Sequence, residues 1–384
     1  MTTTTRKKIL IVCDSSKSLL DFRGKLMERM QEKNQVYVFT PQINQEFIRN
    51  QLYEMGVIVH ESKLNGSNVS VLSDLNFILS LYKLIRSIKP DVFFPYTFKP
   101  VIYGTLIAKV CRLKLIVPMI TGLGYNFTEG TKSNKVVVGI TKLLLKICLK
   151  ANPKLNLILQ NKDDAQMLID LKIIKPEQNI FVVNGSGVDL SYYAYKEPNI
   201  HAVTFLMISR LINAKGINEY FEAAQIIKSK YPNCTFQLIG DYDKNIDSIS
   251  NDLYQKIVSG NIIDYLGHVN DVRPAITNSS VVVLPSYYKE GVPRALLESM
   301  AMGRAIITCD SSGCRETVNL KRGRENGFII PVKDPITLAS KMEYFILNKD
   351  KIVNYGKEGL AFAKEKFDVN LINDDMLKIM ELEN

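Results

Sequence analysis

The chain has 384 residues, 46% of them hydrophobic, and a mean hydropathy of -0.01. That length predicts two domains, and that composition fills two cores, which excludes a disordered chain. The net charge of +10 is uneven: residues 1–197 hold 27 Lys and Arg against 16 Asp and Glu, while residues 198–384 hold 22 against 23. A basic first half admits nucleic acid or an anionic membrane surface, and the neutral second half predicts a different partner.

The first half alternates strand and helix. Strands are expected at Lys8–Cys13, Gln35–Thr40, Val57–His60, Asp91–Pro95, Lys114–Pro118, Leu155–Gln160 and Ile180–Val183. Helices are expected over Leu19–Gln31, Gln45–Met55, Leu72–Ile88, Lys99–Val110, Asn134–Leu149 and Asp163–Leu171, with a long loop after Pro118. This alternation predicts a parallel sheet with crossover helices. Residues 191–200 show no period, carry Pro198, and read as a linker. A second alternation follows, with strands at Val203–Ile208, Thr235–Ile239, Ile262–Tyr265, Val281–Leu284, Ala305–Thr308 and Gly327–Ile330. The end is helical, over Pro335–Leu347, Lys351–Lys366 and Leu371–Leu382. The class is therefore α/β, with two Rossmann-like domains at 1–190 and 201–366.

Cys13, Cys111, Cys148, Cys234, Cys309 and Cys314 form no C-x-x-C pair and fall mostly in apolar segments. That pattern points to reduced thiols in a cytosol. The apolar run in MTTTTRKKILIV is too short for a secretory signal, and no stretch of about 18 uncharged apolar residues predicts a membrane span.

The chemistry concentrates at residues 281–318. A buried strand, Val281–Leu284, leads into a loop holding Glu290 and Gly291. Pro293 can open the next helix, which runs to about Met302 and stops at Gly303. The loop thus lies at the carboxyl end of a parallel strand, where open α/β sheets bind ligands. Glu298 sits mid-helix among Ala295, Leu296, Leu297 and Met300. An apolar setting demands hydrogen-bond donors for it. A ligand can supply them, or an arginine can; Glu290, likewise, can face a ligand or cap the helix. Arg210 and Lys215 follow the first strand of the second half, in SRLINAKG. A strand, a cationic turn and a helix suit a diphosphate, and a solvated loop is the alternative.

Glu290, seven residues, Glu298, preceded by Pro285-Ser286, resembles the signature of family-four retaining glycosyltransferases of the GT-B fold. Ser209-Arg210-Leu211 with Lys215-Gly216 resembles that family's diphosphate turn. Gly185-Ser186-Gly187-Val188-Asp189 resembles the loop closing its first domain, and Leu266-Gly267-His268-Val269 its nucleotide-side turn. Tyr96-Thr97-Phe98-Lys99-Pro100 and Thr121-Gly122-Leu123-Gly124-Tyr125 resemble a narrower bacterial group that adds N-acetylgalactosamine or a related sugar to lipid-linked oligosaccharides.

The resemblance implies a UDP-sugar donor, a polyprenyl-diphosphate-linked saccharide acceptor, no cofactor and no metal. It gives Glu298 the ribose and Glu290 the donor sugar or its phosphate side. The backbone N–H groups of Gly291 and Val292 join them, with Pro293, Ser209, His268 and Ser16 completing the donor side. Arg210 and Lys215 stabilise charge on the leaving diphosphate. Lys99, Thr121, Gly122, Gly124 and Tyr125 line the acceptor side or the cleft, Lys99 standing where many relatives carry a histidine. It also implies that the last helix, within 367–384, returns to the first domain. Asp241-Tyr242-Asp243 matches the D-x-D of some metal-dependent transferases, but reads here as a solvated turn.

The helix Asn134–Leu149, flanked by Lys132 and Lys150, carries Lys135, with Lys142 and Lys146 in register with Lys150 at every fourth residue. It suits the surface of an anionic bilayer; the other reading is a buried helix whose lysines face water. The expected setting is the cytoplasmic face of the inner membrane, peripherally attached, with no nucleic acid bound. A nucleotide-sugar epimerase of related fold and a non-catalytic membrane-bound scaffold stay open as alternatives.

Overall fold

A computed structural model of the chain describes residues 6–62, 71–128, 135–242 and 246–383. It divides into two compact units. One takes Met1–Thr121, Lys135–Ser186 and Ile372–Asn384; the other takes Gly122–Asn134 and Gly187–Leu371.

In the first unit the apolar run KILIV forms β1 (Lys8–Val12), buried on both faces. It is joined by β2 (Gln35–Pro41), β3 (Ile58–Ser62), β4 (Val92–Pro95) and β5 (Leu115–Ile116), all parallel, in the order β3-β2-β1-β4-β5. The single sheet expected from sequence is interrupted. β6 (Met119–Ile120), which the sequence reading assigned to loop, pairs with β7 (Leu157–Leu159), and that with β8 (Ile180–Val182), as a separate three-stranded sheet. Pro118 lies at the break and has no N–H to donate to a ladder. Single parallel bridges, Tyr96 to Met119 and Ile116 to Leu155, carry the pairing past it. The last helix, Val369–Ile379, buries Ile372, Met376 and Leu377 in the core beneath β1, and Asn156 Nδ2 donates to Ile379 O at 2.9 Å.

The second unit holds β9 (Thr204–Ile208), β10 (Thr235–Ile239), β11 (Asp264–Gly267), β12 (Val281–Leu284), β13 (Ala305–Cys309) and β14 (Gly327–Ile330), in the order β11-β10-β9-β12-β13-β14. All pairs are parallel. A short helix, Arg273–Asn278, was not expected from sequence.

The stretch 191–200 is not a loose tether. The fully buried Arg304 guanidinium donates to Lys196 O at 2.7 Å, and also to Ile276 O and Thr277 O. Burial pulls its pKa down to about 10, so these carbonyls are what make the buried charge tolerable. Tyr193, from the same stretch, is buried in the core. The two segments where the chain leaves this unit run side by side, with Val188 bridged in parallel to Asp368.

Both large sheets reverse their strand order at one place: between β1 and β4 in the first unit, and between β9 and β12 in the second. The crevice at the carboxyl end of such a reversal is where doubly wound sheets take ligands.

Candidate active site

In the second unit Ser209, Arg210 and Lys215 follow β9, and Glu290 to Glu298 follow β12, the two strands at the reversal, while His268 follows β11. After β9 comes a tight turn, Asn213–Lys215, closed by Gly216 with φ of +79°. A Cβ on Gly216 would lie 2.2 Å from Pro285 O, so only glycine lets this turn seat against the loop after β12. The backbone N–H groups of Tyr287 and Tyr288 both donate to Ala214 O, at 2.9 and 3.0 Å. This seating carries Lys215 Nζ to 2.7 Å from Glu290 Oε2, with each side chain only about an eighth exposed (13% and 12%). Ser286 Oγ donates to the other carboxylate oxygen of Glu290 at 2.6 Å. The Lys215 ammonium also stands 5.6 Å from the centre of the Tyr288 ring. Little water reaches the pair, so its charges act more strongly than in solution. Burial pushes the nearby Cys314 thiol up to about 12, which keeps it neutral.

Glu298 does have an arginine partner. Its Oε1 lies 2.6 Å from Arg294 Nη2, one helical turn back, and accepts the Tyr193 hydroxyl at 3.0 Å. Burial and the Glu298 charge push the Tyr193 hydroxyl well above its ordinary range, so it stays protonated and donates. The helix Arg294–Ala301 starts after Pro293 with no capping side chain and no acidic residue in its first turn. The positive end of a helix dipole favours an anion.

Arg210 is exposed, and its charge acts on Asp247. Ser209 Oγ donates to Arg210 O at 3.2 Å. His268 Nδ1 is 3.1 Å from Asp241 Oδ2, both about half exposed. Neither Arg210 nor His268 takes part in the Lys215–Glu290 contact. Asp243 lies outside the described residues, as do Lys132 and Asn134. Among the described residues no group of three His, Cys, Asp or Glu side chains is placed to hold a metal ion.

The loop Gly122–Thr128, which the sequence reading placed on the acceptor side or along the cleft, lies beside the Glu290 loop. It belongs to the second unit and is bonded to the Glu290 loop. Gly124 N donates to Lys289 O at 2.9 Å, and Lys289 N donates to Thr128 Oγ1 at 3.0 Å. A Cβ on Gly122 (φ +126°) would lie 2.5 Å from Gly291 N. Gly122 thus lets backbone lie on backbone, a Cβ on Gly124 would lie 3.1 Å from the Tyr288 hydroxyl, and Tyr125 opens the short turn Tyr125–Phe127. Thr121 stays with the first unit.

In the first unit, Ser16 and Lys99 follow β1 and β4, the strands at that sheet's reversal. Ser16 is the first residue of the helix Ser16–Lys33, and Ser15 before it makes no capping bond. Lys99 Nζ is 3.0 Å from Asp74 Oδ1, and the Tyr103 hydroxyl donates to Asp74 Oδ2 at 3.0 Å. Nothing in the sequence pointed to Asp74 as its partner. Thr97 holds φ of +70°, rare for a β-branched residue and a mark of a constrained site. Burial raises the Asp14 carboxyl above its usual range, while the Thr97 hydroxyl and Lys99 pull it back.

Sequence comparisons match this architecture. Residues 202–348 match the family described as Glycosyl transferases group 1, and residues 8–161 match that described as Glycosyl transferase 4-like. The N,N'-diacetylbacillosaminyl-diphospho-undecaprenol alpha-1,3-N-acetylgalactosaminyltransferase of Campylobacter jejuni is 26% identical over 381 residues, covering 95% of this chain and 96% of its own. The UDP-Gal:alpha-D-GlcNAc-diphosphoundecaprenol alpha-1,3-galactosyltransferase of Escherichia coli is 27% identical over 304 residues, covering 75% and 74%. Among solved structures, HepE of Anabaena in complex with UDP aligns with a TM-score of 0.72 at 18% identity, over 97% of this chain and 99% of that one, a likeness of fold.

Proposed function

Residues 202–348 match the group 1 glycosyltransferases, residues 8–161 the glycosyltransferase 4-like family, and the fold is GT-B with two Rossmann-like domains; we propose that the chain is a retaining transferase acting on a lipid-linked saccharide. The donor is a UDP-sugar carrying an N-acetylhexosamine, N-acetylgalactosamine above all. The acceptor is a saccharide on polyprenyl diphosphate, made for a surface polysaccharide or glycan. The names of the two relatives, both enzymes of undecaprenyl-diphosphate saccharides, support this choice. The observation that carries the reading is the Lys215–Glu290 contact at the β9–β12 reversal, which unites a cationic turn and a carboxylate loop distant in sequence.

In this reading Lys215 and Arg210 face the diphosphate. As the bond from the sugar C1 to the diphosphate oxygen breaks, negative charge builds on that oxygen, and a preorganised cation stabilises it where solvent is scarce. The acceptor hydroxyl attacks C1 from the same face, and the departing diphosphate takes its proton. No side chain is needed as general base. Glu290 orients the donor sugar and holds Lys215 in place. Glu298, fixed by Arg294 and Tyr193, accepts the ribose hydroxyls. The N–H groups of Gly291 and Val292 and the start of the helix after Pro293 take the phosphate side, while Ser209 and His268 border the donor. Lys99 and Thr121 serve the acceptor, Lys99 tempered by Asp74. The reaction needs no metal. The enzyme works at the cytoplasmic face of the inner membrane.

The test is a screen of UDP-sugars for UDP release with and without an undecaprenyl-diphosphate-linked saccharide. Acceptor-dependent UDP release supports the reading. Epimerised nucleotide sugar formed without acceptor would make the protein an epimerase, and tight UDP binding without turnover would make it a scaffold.

A further inference from the structure

The helix Lys135–Cys148 is not the buried helix with outward lysines that one reading of its sequence offered. At about 100° per residue, Val136, Ile140, Leu143 and Ile147 fall within one narrow stripe. That stripe faces out: the four are 67%, 54%, 57% and 49% exposed. On the other side Leu145 and Cys148 are fully buried, and the helix packs against the segment Pro100–Val110. Lys135, Lys142 and Lys146 lie along one flank of the apolar stripe, and Lys150 follows the helix end. The helix Val71–Ile88 packs against the same segment and repeats the pattern, exposing Leu75, Leu79 and Tyr82 in one stripe with Arg86 beyond them. Val110, at the end of that segment, is 74% exposed. No helix among the described residues is long and apolar enough to cross a membrane.

We propose that the exposed stripe of the helix Lys135–Cys148 inserts among the acyl chains of an anionic bilayer, with its lysines at the headgroups. The chemistry of the face selects that partner. An outward apolar stripe beside cationic side chains, with no acidic residue between Lys132 and Lys162, matches a surface that is apolar below and negative above. Lysine stems reach along the apolar boundary and leave the ammonium in the headgroup layer. The contribution is therefore apolar as well as electrostatic, so added salt weakens binding without abolishing it. This rests on the proposed lipid-linked acceptor only for its purpose: a carrier held in a membrane has to be met there.

The test uses the full chain and vesicles of equal parts phosphatidylglycerol and phosphatidylcholine. The protein should sediment with them, with partial release at high salt. Ile140→Glu, Leu143→Glu and Ile147→Glu combined should lower partitioning by roughly a hundredfold or more, because three exposed apolar side chains lose their burial. Lys142→Gln, Lys146→Gln and Lys150→Gln combined should weaken binding by roughly tenfold or more and flatten its salt dependence. If the glutamate variant fails to fold, serine at the same three positions gives the same reading. Both sets should keep UDP release with a short water-soluble acceptor. Binding by the apolar variant equal to the parent's overturns the proposal. So does a parent that ignores the vesicles, or a lipid-free dimer that the glutamates dissociate, which would make the face a protein interface. Loss of UDP release in a parent that still binds vesicles counts against the transferase reading and leaves this one standing.

Discussion

Removing Lys215 should damage both the fold and the chemistry, and the two losses separate cleanly. Lys215 Nζ and Glu290 Oε2 are 2.7 Å apart, and each side chain is about seven-eighths buried. Lys215→Ala leaves Glu290 with Ser286 Oγ but without its cation. Breaking a pair this buried costs about 3 kcal/mol, nearly all of it the penalty of a carboxylate left without compensation. Lys215→Ala with Glu290→Gln removes that carboxylate as well, and about half or more of the loss should return. Urea unfolding of the parent, the two single variants and the double variant measures this coupling. Turnover behaves differently: Lys215→Ala should lower it by more than about tenfold, and the double variant should recover none of it, because the leaving diphosphate still lacks its cation. Strictly additive stability effects would refute the coupling, and unchanged turnover would remove Lys215 from the site.

Other outcomes follow from the same geometry. Glu298→Ala leaves Arg294 and Tyr193 without their common acceptor, so calorimetry should show weaker UDP binding and unfolding should show a loss of about 1–3 kcal/mol; unfolding with UDP affinity intact would make Glu298 purely structural. Gly122→Ala drives a Cβ into Gly291 N at 2.5 Å, so UDP affinity should fall several-fold, and unchanged affinity would show that the loop does not hold the donor turn. Asp14 has a native pKa above its ordinary 3.8, so the folded state keeps an extra proton between those values and loses stability as pH rises through that window. Asp14→Asn should abolish that slope and melt higher at neutral pH; an equal slope in the variant would assign it elsewhere. Activity should survive EDTA, and loss with rescue by manganese or magnesium would overturn the metal-free mechanism.

The parts of this site that could be read from sequence are those whose partners are local or whose spacing has a direct geometric meaning. The VVVL run gave β12, and Glu290 and Gly291 follow at its carboxyl end because loop and strand are contiguous. Arg294 and Glu298 are four residues apart on a helix, so their pairing was open to the eye as one alternative. The partners that escaped come from elsewhere in the chain. Tyr193 lies in a stretch with no periodicity, and its place under Glu298 is set by Arg304 gripping the Lys196 carbonyl. Asp74 meets Lys99 only once two strands and a helix have packed. That the Gly122–Thr128 loop follows a first-half strand was legible, but not its seat on the Glu290 loop, because the close approach at Gly122 is between backbones and side-chain chemistry cannot announce it. The lysine register on the helix Lys135–Cys148 was visible, whereas which face was buried was not, since apolar residues surround it on several sides.

The most direct test of the central claim is the anomeric configuration of the product. UDP-N-acetylgalactosamine is alpha-linked, and same-face attack with the diphosphate as proton acceptor returns an alpha-glycoside on the lipid-linked saccharide. Proton NMR of the purified product should show the small anomeric coupling of an alpha linkage. A beta linkage would mean attack from the opposite face, a general base this site has not been assigned, and a different mechanism from the one built here on Lys215, Glu290 and the turn between them.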